Sequence, residues 1–311
     1  AEDGRDWAIS WARTDLKRLK SMHDHLQNVL YRPFDVRKTI YTNKSKGFLA
    51  YPRWETMKCM LKNNLALVAM RQVFQDVDSY THFVATNMLI DERTFYSNRG
   101  GTYLFPLYNY NDNNAGLFAE TTKCIQHNYN VEFIQKFSNL LGLSYNSSCN
   151  LPDGVNADDI FNCSYSIFYS NEFRYRYEEF LKIDFPRLPL TRNMELFRKL
   201  ANIGKELVSI HLLEAKKITK PITKFVGNQT SEIEKISWSS DTVWLGKSKK
   251  SGFQGVSEDV WNFRVGGYQV CEKWLKDRKG RVLSDDDIAH YHKIVVALSE
   301  TIRLMAEIDK V

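Results

Sequence analysis

Residues 255–305 read GVSEDVWNFRVGGYQVCEKWLKDRKGRVLSDDDIAHYHKIVVALSETIRLM. The stretch divides into strand, turn, short helix, basic turn and long helix. Val260-Trp-Asn-Phe-Arg-Val265 alternates apolar and polar residues, which predicts a half-buried strand. Gly266-Gly267 lets the backbone turn without a Cβ penalty. Tyr268 to Lys276 reads as a short helix, and Asp277 to Arg281 as a charged turn with Gly280 as its stop. Ser284 ahead of Asp285, Asp286 and Asp287 is an N-cap, with negative charge where the helix dipole favours it. Ile288, Tyr291, Val295, Leu298, Ile302 and Met305 then recur at spacings of 3, 4, 3, 4 and 3. That is one apolar stripe along a helix of about six turns. The segment reads as scaffold.

Composition bounds the rest. The 311 residues suffice for one large domain or two small ones, and 43% hydrophobic with 13% aromatic residues predicts a folded globular protein. Net charge is +6, a mild bias that suits nucleic acid. It is unevenly distributed: Tyr31 to Lys58 holds seven Lys/Arg against two acids, and Val243 to Gln254 adds three lysines and no acid. The five cysteines are widely spaced, without a CxxC pair or Cys/His cluster, and read as reduced thiols of a cytoplasmic protein. No apolar run approaches the ~18 residues of a membrane span.

Residues 1 to 30 are polar with a helical tendency, with Trp7, Trp11, Leu16, Leu19 and Leu26 at loosely helical spacings. The start at Ala1 fits an excised piece of a longer polypeptide. Trp54 to Leu61 reads as a short helix, Leu65 to Met70 as a buried strand, and Thr81 to Ile90 as its partner. Tyr103 to Tyr108 is a further strand, placed at an edge or strand end by Pro106. An Asn-rich loop follows over 109–115, then helices over 131–141, 157–181 and 195–217, with Asp184 to Pro189 a rigid linker. Residues 236–265 return to strands and turns anchored by Trp238, Trp244 and Trp261. The fold class expected is α/β (α+β). An α/β recognition unit over 31–190, mixed or mainly β over 30–110, is followed by a helix-rich C-terminal part with some β structure over 191–311, ending in a long amphipathic helix.

The motifs of catalysis are missing. None of the seven prolines follows Asn or Asp, so there is no Asn/Asp-Pro-Pro-Tyr/Phe loop to hold an adenine amino group. No Phe-x-Gly-x-Gly turn is present for S-adenosylmethionine. Gly246-Lys-Ser248 matches the end of a P-loop, but the first glycine would fall on Asp241. Asp285 to Asp287 fits a helix cap better than a metal site. His23/His25 and His290/His292 lack the i, i+4 spacing of a helical ligand pair and read as polar surface residues. No catalytic residue, metal ligand or cofactor is expected in this chain.

Binding is the better prospect. DNA readers place Arg and Lys on phosphates, and Arg, Lys, Gln or Asn on base edges. Arg32, Arg37, Lys38, Lys44, Lys46 and Arg53 are interleaved with Tyr31, Phe34, Tyr41, Phe48, Tyr51 and Trp54. Two readings stay open for them, a phosphate-contacting surface and the solvated face of a small domain. Arg71 and Gln72 are base-reading types where a strand leaves the core, and Arg93, Asn98 and Arg99 lie in the turn after its partner strand. Lys247, Lys249 and Lys250 form a candidate second phosphate clamp. Arg174 and Arg176 fit structural ion pairing better.

Four blocks occur in an order shared with a known family: Leu30-Tyr-Arg-Pro-Phe-Asp-Val-Arg37, Phe105-Pro-Leu-Tyr108, Tyr175-Arg-Tyr-Glu-Glu-Phe-Leu-Lys-Ile-Asp-Phe-Pro-Arg-Leu-Pro189, and the run from Gly266 to Met305. Together they resemble the C-terminal end of single-chain type ISP restriction-modification enzymes over roughly residues 1 to 309. The resemblance implies a target recognition domain that directs a fused adenine methyltransferase to double-stranded DNA, with residues 1–30 the tail of the upstream methyltransferase domain. It also implies that S-adenosylmethionine, with ATP and Mg2+ as further candidates, is bound elsewhere in the parent, as are methylation and cleavage. The DNA-contact residues above rest on residue type and placement alone. Two alternatives remain: a docking or spacer module without base readout, and a complete nucleic-acid-modifying enzyme.

Overall fold

Helix Asp285–Ile308 is present in the computed structural model, which describes residues 3–73, 80–97, 100–111, 124–230 and 232–311. It opens on a reciprocal cap. Ser284 Oγ accepts from the Asp287 N–H, and the Asp287 carboxylate accepts from the Ser284 N–H, both at 3.1 Å. Tyr291, Val295, Leu298 and Met305 of the predicted stripe are buried, while Ile288 and Ile302 are half-buried. Ile294, Val296, Ala297, Thr301 and Leu304 are buried as well, so the helix is covered well beyond one stripe. Helices Ala157–Tyr169 and Met194–His211 pack on each other and on it. Gly204 lets the first two meet, because a Cβ there would lie 1.9 Å from the Asn162 carbonyl oxygen.

The sheets are small, as the mixed α/β expectation requires. Ala66–Ala69 is flanked on both sides by antiparallel partners, Phe83–Thr86 and Tyr103–Pro106, with Pro106 closing an edge strand. Tyr165 and Tyr169 fasten this sheet to the helices below it. Tyr165 Oη accepts from the Ala85 N–H at 2.9 Å, and Tyr169 O–H donates to the Phe83 carbonyl at 2.7 Å. Four short antiparallel strands make a second sheet in the order Lys224–Val226, Gly252–Gln254, Thr242–Trp244, Ser237–Ser239. It reaches the long helix through Phe253, whose ring lies 4.2 Å from that of Tyr291.

Four expectations need correction. Residues 26–30 are not helical: helix Ile9–Lys17 ends early, and Leu26–Arg32 forms a hairpin with Asp35–Ile40. It also pairs in parallel with Leu89–Ile90, a tertiary partner that overrides local helical preference. The strand expected over Val260–Val265 is helix Glu258–Asn262 followed by a two-residue strand, Arg264–Val265. Glu258 and Asp259 place negative charge in the first turn of that helix, and only Arg264–Val265 find a strand partner, in Tyr268–Gln269. The helix expected over 157–181 is three: Ala157–Tyr169, Asn171–Arg176 and Glu178–Ile183. The break at Ser170 is held by Asp309, whose carboxylate accepts from Ser170 Oγ at 2.6 Å and Asn171 Nδ2 at 2.9 Å. Last, His290 and His292 are half-buried and hydrogen-bonded, not free on the surface. His290 donates to the Phe34 carbonyl at 2.8 Å, and His292 Nδ1 lies 2.5 Å from Thr223 Oγ1.

Buried histidines also set an acid limit on the fold. The Thr301 hydroxyl donates to the Ala297 carbonyl at 2.7 Å, so it accepts from His211 Nε2 at 2.8 Å, and Nδ1 accepts from the Tyr165 hydroxyl at 2.5 Å. Neutral imidazole satisfies both ends. Burial, aided by the Arg174 charge, pushes His211 down to about 3 and His82 down to about 4. Unfolded, both titrate near 6.5, so the unfolded chain takes up protons first as pH falls. Stability is therefore full above about pH 6.5 and declines toward pH 4, by up to roughly 3 kcal/mol per histidine. The urea midpoint is expected to drop steeply over that range; a flat midpoint would contradict neutral burial of these rings.

Candidate nucleic-acid interface

The loop carrying Lys44 and Lys46 is built on the N-terminal helix. Asp15, buried in that helix, accepts from Thr42 Oγ1 at 2.6 Å and from the Phe48 N–H at 2.8 Å. Trp7 Nε1 donates to the Phe48 carbonyl at 3.0 Å, and Lys46 Nζ lies 5.3 Å from the Trp11 ring. Gly47 permits this approach, because a Cβ there would sit 2.3 Å from Asp15 Oδ2. Both ends of the loop are thus pinned while Lys44 stays half-buried and Lys46 exposed. Among the described residues neither has a carboxylate partner. Trp7, Trp11 and Asp15 are supports of this loop that sequence reasoning missed; the spacing of the two tryptophans was the only signal.

The preceding hairpin is different, because its arginines are engaged. Asp35 is buried and bridges Arg37 of the hairpin to Arg278 of the C-terminal part: Arg37 Nη2 lies 3.0 Å from one carboxylate oxygen and Arg278 Nη2 2.9 Å from the other. Arg278 also reaches Asp287 at 3.4 Å and lies 3.5 Å over the Trp274 ring, which His290 stacks against at 5.6 Å. Arg32 pairs with Asp91 at 3.1 Å. Both Arg32 and Arg37 lie against the Tyr31 ring, at 3.8 and 3.6 Å. Lys38, on the same strand, is exposed, with no carboxylate partner among the described residues.

The remaining candidates divide the same way. Arg53 stands 3.7 Å from Glu92 and donates weakly to the Thr102 carbonyl at 3.4 Å. Arg71 donates to Asp184 at 3.1 Å and Gln72 to the Ile183 carbonyl at 3.2 Å, so the strand exit is tied to the linker. Arg93 is exposed and donates to the Ser97 carbonyl at 3.0 Å. Asn98 and Arg99 lie outside the described residues. Lys247, Lys249 and Lys250 are exposed on the turn joining Thr242–Trp244 to Gly252–Gln254, closed by the Leu245 N–H on the Ser251 carbonyl at 3.0 Å. Lys249 donates to Ser239 Oγ at 3.1 Å. A carboxylate partner is absent for all three among the described residues. Lys38, Lys44, Lys46, Arg93 and the 247–250 lysines therefore carry free positive charge, whereas Arg32, Arg37, Arg53 and Arg71 are compensated.

Other chemistry is poorly served. Among the described residues no group of three His, Cys, Asp or Glu is placed to hold a metal ion, and no helix is long and apolar enough to cross a membrane. Burial pushes the Cys163 and Cys271 thiols up to about 12, which removes the thiolate a nucleophile needs at neutral pH. The Asp285 carboxylate accepts from Gln229 Nε2, and that of Asp287 from the Ser284 N–H and Oγ of the helix cap.

Comparison with known proteins identifies the family and the fold. The model of the Type ISP C-terminal specificity domain matches residues 1–307. Three solved structures share the fold. The ATP-dependent Type ISP restriction-modification enzyme LlaBIII bound to DNA aligns with a TM-score of 0.69 and 18% identity, over 97% of this chain and 20% of that one. The DrdV-DNA complex aligns with a TM-score of 0.69 and 17% identity, over 95% and 30%. A nuclease-deletion mutant of the Type ISP enzyme LlaGI, in complex with a DNA substrate mimic, aligns with a TM-score of 0.63 and 18% identity, over 98% and 23%. The chain thus spans 20–30% of the length of these structures. No curated protein matches it. On the match over nearly its whole length, the chain belongs to the Type ISP C-terminal specificity domain family.

Proposed function

We propose that this chain recognises a double-stranded DNA site and directs the catalytic parts of a type ISP-like restriction-modification enzyme to it. Membership of the specificity-domain family is the observation that carries the reading. The uncompensated lysines at 44–46 and 247–250, on loops held by buried or backbone contacts, support it as phosphate contacts. On this reading catalysis lies elsewhere in the parent. An adenine methyltransferase domain of the same polypeptide, with S-adenosylmethionine, flips and methylates the base. Cleavage, ATP and Mg2+, where the parent uses them, belong to its other domains.

A second reading has one observation in its favour. Phe173, Tyr177, Phe180, Leu181 and the 183–189 segment line a mainly apolar groove of about 530 Å³, with Phe180 and Ile183 well exposed. A face of that kind suits protein docking, which would make the chain a spacer that reads no bases. Fluorescence anisotropy of the chain on a randomised duplex pool, across a salt series, separates the two. DNA recognition predicts an affinity that falls steeply with salt; docking alone predicts no binding at low salt.

A further inference from the structure

We infer that the base-reading element of this domain is the Arg264–Gln269 hairpin together with the Asp91–Ser97 turn, with Arg264 and Arg93 as its donors and Tyr96 as its apolar wall. The inference rests on reading the chain as a DNA-recognition domain, and it ranks these residues above Arg71 and Gln72 in that role.

Reading a base edge needs a donor that is exposed, uncompensated and held still. The two segments hold each other still. The Tyr96 N–H donates to the Gly266 carbonyl at 2.7 Å, and the Gly266 N–H donates to the Thr81 carbonyl at 2.8 Å. Gly266 and Gly267 turn at φ +59° and +78°, and a Cβ on Gly266 would lie 2.0 Å from Phe95 Cδ1. Only glycine allows so close a contact, which fixes the hairpin against the turn. The Asp91 carboxylate accepts from the Arg93 N–H at 2.8 Å and sets the turn itself.

The side chains on this support meet the other two conditions. Arg264 is exposed; its Nη1 lies 3.3 Å from the Gly267 carbonyl, a neutral acceptor that orients the guanidinium without cancelling its charge. Arg93 is held in the same manner by the Ser97 carbonyl at 3.0 Å. Neither has a carboxylate partner among the described residues. Tyr96 remains 55% exposed although its ring meets Tyr268 edge-on at 5.9 Å. Behind them, Tyr268 lies 5.5 Å from the Arg32 guanidinium and 5.4 Å from Lys273 Nζ. Those two cations are neutralised by Asp91 and Asp277, so they act as support and not as contacts. Arg71 and Gln72, by contrast, each already donate to the 183–184 linker. A guanidinium presented this way suits the O6 and N7 acceptors of guanine in the major groove, and the exposed Tyr96 ring on the same support suits a thymine methyl.

The test uses the full chain, the unselected duplex pool and the duplex enriched from it. Arg264→Lys keeps the charge but loses the two-pronged fork. It is expected to weaken binding to the enriched duplex about tenfold while changing binding to the unselected pool less than about threefold. Arg93→Lys serves as an independent second variant with the same expectation, and the urea midpoint of both should match that of the unsubstituted chain. Unchanged binding to the enriched duplex in both variants would overturn the inference. So would equal weakening on both DNAs, the mark of a phosphate contact, or a larger loss in Arg71→Ala/Gln72→Ala. If the unsubstituted chain binds neither DNA, the reading beneath the inference fails; if it binds both and the variants bind equally well, only the inference fails.

Discussion

Arg278→Ala is expected to destabilise the chain by about 3 kcal/mol, read as a lowered urea midpoint. The reason is Asp35, whose side chain is 1% exposed and whose two oxygens are shared between Arg278 and Arg37. Removing Arg278 leaves a buried carboxylate with one partner, and also strips the guanidinium from the face of Trp274. Removing Arg37 is milder, about 1 kcal/mol, because that side chain is 39% exposed and solvent already screens the pair. The contrast matters because Asp35 sits beside the hairpin tip at Phe34, and Arg278 sits between helices Val270–Lys276 and Asp285–Ile308. Their bond joins the N-terminal hairpin to the C-terminal scaffold. Equal, small losses from both substitutions would contradict this account of the tie.

Charge reversal of the free lysines should have the opposite profile, a large loss of DNA binding with little change in stability. Lys44→Glu/Lys46→Glu and Lys247→Glu/Lys249→Glu/Lys250→Glu change residues that have no carboxylate partner among the described residues, so folding loses no ion pair. Each phosphate contact removed should lower the slope of log affinity against log salt by about 0.9, and combining the two sets should cost at least about 100-fold in affinity. Anisotropy at several salt concentrations measures both quantities. An unchanged slope would move the phosphate surface elsewhere; loss of slope with a lowered urea midpoint would mean that these loops are structural.

Much of the scaffold was legible because its signals are local. Ser284 with Asp287 marks the start of the last helix, and Leu65 to Met70 announces a central strand by its unbroken apolar run. What stayed hidden depends on partners far along the chain. Leu26–Arg32 becomes a strand only when Asp35–Ile40 and Leu89–Ile90 flank it. His290 is drawn inward by the carbonyl of Phe34, a residue at a hairpin tip with a positive φ of 63°. The candidate site shows the same limit. Residue type made Arg37 and Lys46 look alike, yet one faces Asp35 and Asp277 while the other lies on a loop pinned by Asp15. Charge is written in the sequence, but compensation is a tertiary property. Arg264 went unnoticed for a related reason: its hairpin lies within a stretch dominated by scaffold signals, and the Tyr96 that bonds the hairpin at Gly266 is 170 positions from that glycine.

The central claim is that this chain selects a DNA sequence. Repeated capture of a randomised duplex pool by the chain, followed by sequencing of the retained DNA, tests it most directly. The account predicts enrichment of one short asymmetric site, bound more tightly than the pool at every salt concentration tried. Retention without enrichment, or no retention at low salt, would contradict it.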